Sequence, residues 1–423
     1  IVVGGGAAGS AAAYHLAKAG VDVLLLEQAQ PDCGDGQQLL HGSSAGESRI
    51  TRLTDVDEHM TRMSCLAMAA WKELEEDWGA ALVKKTGGLE VGLREAPQLA
   101  SIRAAAQAAG VPLEELTSAE IKQRWPAFSD MPSDIIGLFN KDAGILNPVK
   151  CIEAFRSLAT RKGARLRFGE RLVGLRWVAE TKHFELLTQP VSPTLHADPS
   201  RAQTTHYRCG RVVLAPGSWL KESLRLLTPP VPIPTSTVWE ISYGWYRVAT
   251  EKTAETLQEM SAIPVWRSFH QSRCYGFPVS ERPGWVKVAP HAAPKESIFS
   301  DPQERSRKPN LVEFDATRQL VGTLFGSRLS PEPVGHEQTC LYTVTADERF
   351  VLGAHPAIPD GRLVLCGGFC GSGFKHSALV GRLATEMVLN NGMCKQLDLS
   401  PFCPGRPGLY AAPASELMRS AKL

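Results

Sequence analysis

A β-branched apolar run, Ile1-Val2-Val3, opens the chain and breaks into Gly4-Gly5-Gly6-Ala7-Ala8-Gly9. From Ser10 to Ala19 apolar residues fall on most faces of a helix, and Gly20 ends it. Val21 to Leu26 is a second apolar run, closing on Glu27. Strand, glycine turn, helix and strand in this order predict a buried βαβ unit. Further along, Glu58 to Trp78 carries apolar residues or Cys at 60, 63, 66, 67, 70, 71 and 74. That spacing is one stripe of an amphipathic helix. Gly87 to Leu93 reads as a strand, and Ala96 to Ala109 and Ser118 to Arg124 as helices. Pro97 suits a first turn, and Thr117 with Glu120 has the spacing of a capping box. Asn147-Pro148 predicts the start of a helix from Val149 to Arg161, because proline fits a first helical position.

Leu166 to Phe168, Leu172 to Leu175 and Arg211 to Ala215 read as strands. Gln189 to Arg208 is polar, carries three prolines and predicts an exposed loop. Residues 229–290 alternate like strands and are rich in aromatics and prolines, which predicts an antiparallel sheet in a second domain. Leu363 to Leu365 is a last buried strand, followed by a glycine-rich turn from Gly367 to Gly373 and a helix from Phe374 to Asn390.

The N-terminal unit has the chemistry of a dinucleotide site. Gly4 permits the tight turn, Gly6 lets the backbone approach a pyrophosphate, and Gly9 lets helix and strand pack closely. The helix N-terminus then presents N–H groups and a positive dipole end to the phosphates. Glu27 lies 18 residues after Gly9, where a carboxylate accepts ribose hydroxyls and disfavours a 2′-phosphate. This fingerprint does not separate NAD from FAD. The second strand–glycine–helix pattern lies more than 350 residues away. A nucleotide domain assembled from both ends of the chain and interrupted by a second domain fits FAD proteins better.

Composition narrows the rest. A chain of 423 residues suggests two or three domains at roughly 150 residues each. Lys+Arg 46 against Asp+Glu 44 gives +2 and no electrostatic case for nucleic acid. No run of about 18 apolar residues exists, so no membrane-spanning helix is expected. Ile1 to Ala19 lacks the charged start and cleavage site of a signal peptide. The chain starts at Ile1, not Met, so an upstream segment is expected to have been trimmed. The ten cysteines form no CxxC pair and no zinc spacing, so no metal is expected and the thiols read as reduced.

Four ordered segments resemble the sarcosine oxidase and pipecolate oxidase family of amine-oxidising flavoproteins. Gly42-Ser43-Ser44-Ala45-Gly46-Glu47-Ser48-Arg49-Ile50-Thr51-Arg52 is similar to its flavin-facing loop. Tyr275-Gly276-Phe277-Pro278 with Trp285-Val286-Lys287-Val288 resembles its sheet-borne active-site segment. Cys340-Leu341-Tyr342-Thr343 with Asp347-Glu348-Arg349-Phe350 resembles the segment bearing its covalently attached cysteine. Gly368-Phe369-Cys370-Gly371-Ser372-Gly373-Phe374-Lys375 resembles its final flavin loop. The implied fold class is α/β, a Rossmann-type FAD-binding domain interleaved with an antiparallel-sheet α+β substrate domain. The expected FAD-binding segments are 1–86, 147–220 and 325–400. The substrate segments are 87–146 and 221–324, and 401–423 is a tail.

The resemblance implies roles for single residues. Lys287 and Arg49 are the catalytic candidates. Lys287 would promote the reaction of reduced flavin with oxygen, and a Lys on an apolar strand face is costly without a partner or a role. Arg49 would lie against the flavin ring. Arg52 and Lys375 would clamp a substrate carboxylate, the Arg by two-pronged contact. Tyr275 and Tyr342 would line the substrate cavity, though each reads equally well as a core residue. His291 matches a family position, and a lone His is more often structural. Gly4, Gly6, Ala7, Ala8, Gly9, Glu27, Gln28, Ser43, Ser44, Arg49, Val173, Gly217, Trp219, Cys340, Gly371, Ser372, Gly373, Phe374 and Lys375 are the cofactor candidates. Cys340 alone reads as a small core residue. The resemblance implies a thioether from its sulfur to the flavin 8-methyl carbon. Two departures stand out: Ala45 where the family commonly has His, and Cys370 and Ser372 where it has Ser and His.

The implied reaction oxidises a secondary or N-methyl amino acid, with L-pipecolate or sarcosine as substrate, to an imine and reduces O2 to H2O2. The alternatives are a same-fold dehydrogenase that passes electrons to a partner, and a catalytically impaired FAD-binding protein. The implied partners are a small amino acid and O2, with a monomer as the default state. Ala421-Lys422-Leu423 resembles the S-K-L peroxisomal address, with the cytoplasm as the location otherwise expected.

Overall fold

The computed structural model describes residues 1–30, 42–191, 203–249, 253–270, 272–333 and 336–410. The Ala421-Lys422-Leu423 ending and residues 192–202 of the expected 189–208 loop lie outside them. A six-stranded sheet takes strands from both chain ends, in the order Val351–Ala354, Leu363–Gly367, Val212–Leu214, Val2–Val3, Leu24–Glu27 and Arg165–Phe168. All neighbours are parallel except the antiparallel edge strand Val351–Ala354.

Alternate residues of these strands feed two cores, as the two-residue period of a strand requires. Val2, Leu25, Val213 and Val364 face a layer of helices that includes Ala7–Lys18, Pro148–Arg161 and Ser377–Leu389. Val3, Leu24, Leu26, Val212 and Leu365 face the other way. They pack on Leu175, Trp177, Phe184 and Leu186 of a four-stranded sheet. That sheet includes His183–Pro190 and Thr205–Cys209, which pair antiparallel, so both ends of the expected loop are strands.

The first helix sits between the other two. Its Ala11, Ala12 and Ala13 are fully buried, and a Cβ at Gly381 would overlap the backbone of Ala11. Two helices meet there backbone to backbone. Gly4 has φ +97°, and a Cβ at Gly9 would overlap the Gly4 carbonyl, so neither position tolerates a side chain. The second strand starts at Leu24, three residues later than the apolar run suggested. The Val21 N–H instead donates to the Leu16 carbonyl and closes the helix end.

The large sheet runs Ile298–Phe299, Ser236–Val248, Trp285–Pro290, Cys274–Gly276, Val265–Ser268, Gly88–Leu93, Ile135–Asn140 and Glu114–Thr117. It is antiparallel except where Val265–Ser268 meets Gly88–Leu93. Leu329–Pro333 and Gln338–Thr345, grouped by sequence with the nucleotide segments, also pair with Ser236–Val248. Among the described residues three α-helices lie outside the expected elements: Leu220–Arg225, Thr253–Ala262 within the aromatic stretch, and Val312–Phe325. The helix Glu58–Trp78 starts on an Asp57 cap and buries Met63, Ala67, Ala70, Trp71 and Leu74. The capping box of Thr117 and Glu120 is present, and Asn147 caps Pro148–Arg161. The final helix begins with a 3₁₀ turn, Phe374–His376, before Ser377–Leu389.

Two glycines test this packing. Gly381→Val forces a side chain between touching backbones and lowers unfolding free energy by about 3 kcal/mol. Gly322, exposed in the Val312–Phe325 helix, has no neighbour near its missing Cβ. Gly322→Ala raises stability by roughly 0.5–1 kcal/mol. Urea titration of both variants measures the two effects, and their opposite signs separate steric from entropic cost.

Candidate active site

A cavity of about 1290 Å³ joins the six-stranded and large sheets. One end is the Gly4-Gly5-Gly6-Ala7-Ala8 turn with Glu27, Gln28, Ser43, Ser44 and Val173 on its wall. The middle is walled by Gly217 and Trp219, and by Gly371, Gly373 and Phe374 of the second glycine turn. The far end carries Arg49, Tyr275, Lys287, Cys340 and Tyr342. These residues come from segments up to 370 positions apart and meet in one space. Gly9, Arg52, Ser372 and Lys375 are not on its wall. Gly9 acts from behind, by allowing the Gly4 carbonyl to approach.

The end with the first glycine turn is pre-shaped by hydrogen bonds. Glu27 accepts from the Gly5 N–H at 2.5 Å and the Ala29 N–H at 2.7 Å. The Ser44 hydroxyl accepts from the Ala7 N–H at 3.1 Å and lies where a Cβ at Gly6 would crowd it. Arg156, which carried no expectation, donates to the Gly5 carbonyl at 2.6 Å and lies over the Phe168 ring. It reaches the turn from the Pro148–Arg161 helix, and nothing in its local sequence marks it.

The far end brings together two basic side chains, a half-buried Arg49 and a buried Lys287. Arg49 donates to the carbonyls of Ser43, Ala45 and Ser48, which curls the 43–49 loop around its guanidinium. Lys287 is only 3% exposed. Its Nζ lies 3.4 Å from the Ser48 hydroxyl and 4.3 Å from the centre of the Tyr243 ring, with Phe277 and Trp245 completing an aromatic box. Burial, then Arg49, lowers its pKa to about 7. Ser48 donates in turn to Glu281 at 2.6 Å. Burial raises the Cys340 thiol pKa, while Arg49 and Lys287 oppose that rise.

The two tyrosines belong to both categories the sequence left open: Tyr342 is buried, Tyr275 is half-buried in an apolar cluster, and both line the cavity. Their hydroxyls are 3.4 Å apart, and Tyr342 is also 3.4 Å from His291 Nδ1. Burial holds His291 neutral, with a pKa of about 3. Arg52 and Lys375 lie beside the cavity, and both meet a carboxylate of the chain itself. Asp55 Oδ2 is 3.0 Å from Arg52 and 3.5 Å from Lys375. Asp55 follows Arg52 by three residues and went unnoticed because the motif ended at Arg52.

The second glycine turn is pinned from the Glu58–Trp78 helix. Trp71 Nε1 donates to the Lys375 carbonyl at 2.7 Å. His376 Nδ1 faces the Ser372 carbonyl at 3.1 Å, which can only accept, so Nδ1 bears the proton. Ser64 then donates to His376 Nε2 at 3.0 Å. Cys370 adopts φ +47°, and its thiol donates to the Gly368 carbonyl at 3.1 Å. Ser372 contributes backbone here, and Ala45 lies on the cavity wall.

The residues fit a flavin dinucleotide. The glycine cradle excludes side chains where phosphates must approach, and buried Trp219 Nε1 on the cavity wall lacks a protein partner. Among the described residues no cluster of three His, Cys, Asp or Glu could hold a metal, and no helix is long and apolar enough to cross a membrane.

This fold and cavity define an FAD-dependent oxidoreductase. Residues 1–387 match the family described as "DAO: FAD dependent oxidoreductase", and the chain belongs to that family. It is 31% identical to monomeric sarcosine oxidase of Streptomyces avermitilis over 424 residues, 98% of each chain. It is 29% identical to peroxisomal sarcosine oxidase of Homo sapiens over 407 residues, 95% of this chain and 94% of that one. Its fold is similar to NikD, an amino acid oxidase essential for nikkomycin biosynthesis, with a TM-score of 0.76 and 24% identity across 96% and 98% of the two chains.

The buried lysine makes stability depend on pH. Its folded pKa of about 7 lies below the free value of 10.5, so the folded state binds fewer protons between those limits. Stability therefore rises with pH through that window. Lys287→Met removes this group's share, roughly 1.4 kcal/mol per pH unit. The variant is more stable than wild type near neutrality by a few kcal/mol, and the gap closes toward pH 10.5. Lys375, lowered the same way, retains a similar slope. Chemical denaturation at several pH values measures both curves; parallel curves would contradict the prediction.

Proposed function

We propose that the chain oxidises a secondary or N-methyl amino acid, of the L-pipecolate or sarcosine type, to its imine while O2 is reduced to H2O2. The observation that carries this reading is the continuous cavity from the dinucleotide turn to the Lys287 box. The resemblance to two sarcosine oxidases supports the substrate class. FAD, when bound, supplies a two-electron acceptor. The glycine turn, Glu27 and Ser44 would hold its nucleotide end, and Gly371, Gly373 and Phe374 its ring end.

Each far-end residue has a task the geometry allows. Lys287 brings a positive charge to the wall and, with a pKa of about 7, can hold or yield a proton near neutrality. Such a charge favours developing negative charge in a water-poor site. Arg49 adds a second, always-charged group. Tyr275 and Tyr342 offer hydroxyls to a substrate, and Arg52 with Lys375 supplies positive charge for its carboxylate. Cys340 lies on the wall of the cavity, which supports a covalent link to the flavin, and Arg49 and Lys287 offset part of the rise in its thiol pKa that burial causes. The likeness to a monomeric and to a peroxisomal sarcosine oxidase supports, as parts of the same proposal, a monomeric state and a peroxisomal setting.

The test is an absorption spectrum of purified protein before and after acid precipitation, followed by anaerobic addition of L-pipecolate or sarcosine. Yellow colour is expected in the pellet, and Cys340→Ser is expected to move it to the supernatant. One amine is expected to bleach the flavin, and air to restore it with one H2O2 per amine. Flavin released from wild type would discard the covalent link and keep the rest. Folded, FAD-loaded protein that no secondary or N-methyl amino acid bleaches would overturn the substrate reading.

A further inference from the structure

Five ionisable side chains share a buried volume next to the Tyr275–Tyr342 wall. Arg52 is 8% exposed, Asp55 9%, Glu90 4% and Lys375 5%. The Arg267 side chain is 17% exposed. Two of the five close on each other. Arg267 donates to Glu90 through Nε at 2.6 Å and Nη2 at 2.8 Å, and the Thr54 hydroxyl donates to Glu90 at 2.8 Å. That pair is neutral and saturated. The other three do not balance. Asp55 Oδ2 faces both Arg52 and Lys375, and its Oδ1 accepts the Val56 N–H at 2.9 Å. Arg52 also donates to the Thr54 carbonyl. With Lys375 protonated, three cations against two carboxylates leave one positive charge over, and Lys375, whose pKa burial lowers to about 7, holds that proton in full once an anion faces it.

The other nearby titratable groups do not cancel it. His376 follows Lys375 and is held neutral by burial. His291 is neutral as well, and it feels Arg267, Arg52 and Arg273 as like charges. Arg267 pairs across the sheet with Tyr275, and His291 Nδ1 lies 3.4 Å from the Tyr342 hydroxyl, so the cluster adjoins the cavity wall. A buried surplus charge is unfavourable until an opposite charge meets it. One carboxylate from a ligand restores neutrality, and a second would exceed it.

We propose that Asp55 is a built-in counter-ion that trims the carboxylate-binding site from two surplus positive charges to one, so the enzyme selects ligands with one free carboxylate over ligands with two. This inference rests on the reading of Arg52 and Lys375 as the carboxylate-binding pair. It gives Asp55 a specificity role distinct from holding the fold, because a purely structural Asp55 would change all affinities together.

The experiment titrates FAD-loaded protein with acetate and with malonate by calorimetry, at fixed ionic strength, so that no turnover is needed. Wild type is expected to bind acetate more tightly than malonate. Asp55→Asn, nearly the same shape without the charge, is expected to shift the malonate-to-acetate affinity ratio toward malonate by about tenfold or more. Asp55→Glu, which keeps the charge, is expected to retain the wild-type order. An unchanged ratio in folded Asp55→Asn protein would overturn the proposal. So would a wild type that prefers malonate, a result that needs no variant to fold. Failure of wild type to bind either anion would instead overturn the carboxylate-binding reading of Arg52 and Lys375, and this inference with it.

Discussion

The backbone contact between the first and last helices is the constraint on which the rest depends. A Cβ at Gly381 would overlap Ala11, so the two helices can lie this close only with a glycine there. The contact brings the end of the chain onto its beginning. It places Leu363–Gly367 in the same sheet as Val2–Val3, with Val212–Leu214 between them. The two glycine-rich turns, each following one of those strands, thereby wall the same cavity. Between them the chain leaves the sheet and returns to it more than once, and the large, mostly antiparallel sheet is built from those excursions.

The cavity's chemistry follows from where the excursion packs back. Lys287 comes from the large sheet, Arg49 from the start of the short strand Arg49–Thr51, and Cys340 from a strand paired with Ser236–Val248. Lys287 is buried, and Arg49 and Cys340 are half-buried on the cavity wall. Aromatic faces and carbonyl oxygens replace solvent around the cations, and the substitution is incomplete for Lys287, whose pKa falls to about 7. Arg49, satisfied by three carbonyls, orders its own loop. The same logic applies behind the tyrosines, where Asp55 and Glu90 offset most but not all of the charge of Arg52, Arg267 and Lys375.

Much of this was legible from local pattern. The Glu58–Trp78 helix and the Thr117 capping box depend on residues three or four apart, and such spacing is visible without a fold. The glycines of the first turn were readable because backbone conformation and close approach leave few alternatives. Asp55 and Arg156 were not. Their partners are, in part, hundreds of positions away, as Asp55 with Lys375 and Arg156 with Gly5 are. The Val312–Phe325 helix was missed for another reason: its buried positions hold Glu313 and Thr317 beside Phe314, Leu320 and Leu324, which blurs the apolar stripe.

By itself the sequence determined the βαβ nucleotide unit, the identity of the second glycine turn and the short list of charged and aromatic residues with chemical potential. Those rest on local sterics and on periodicity, which act between neighbours in the chain. Only the tertiary structure decided which of these residues face one cavity, that Arg52 and Lys375 meet Asp55 beside it, and how far burial lowers Lys287. Distance and desolvation set those outcomes, and both are properties of the packed chain rather than of any segment within it.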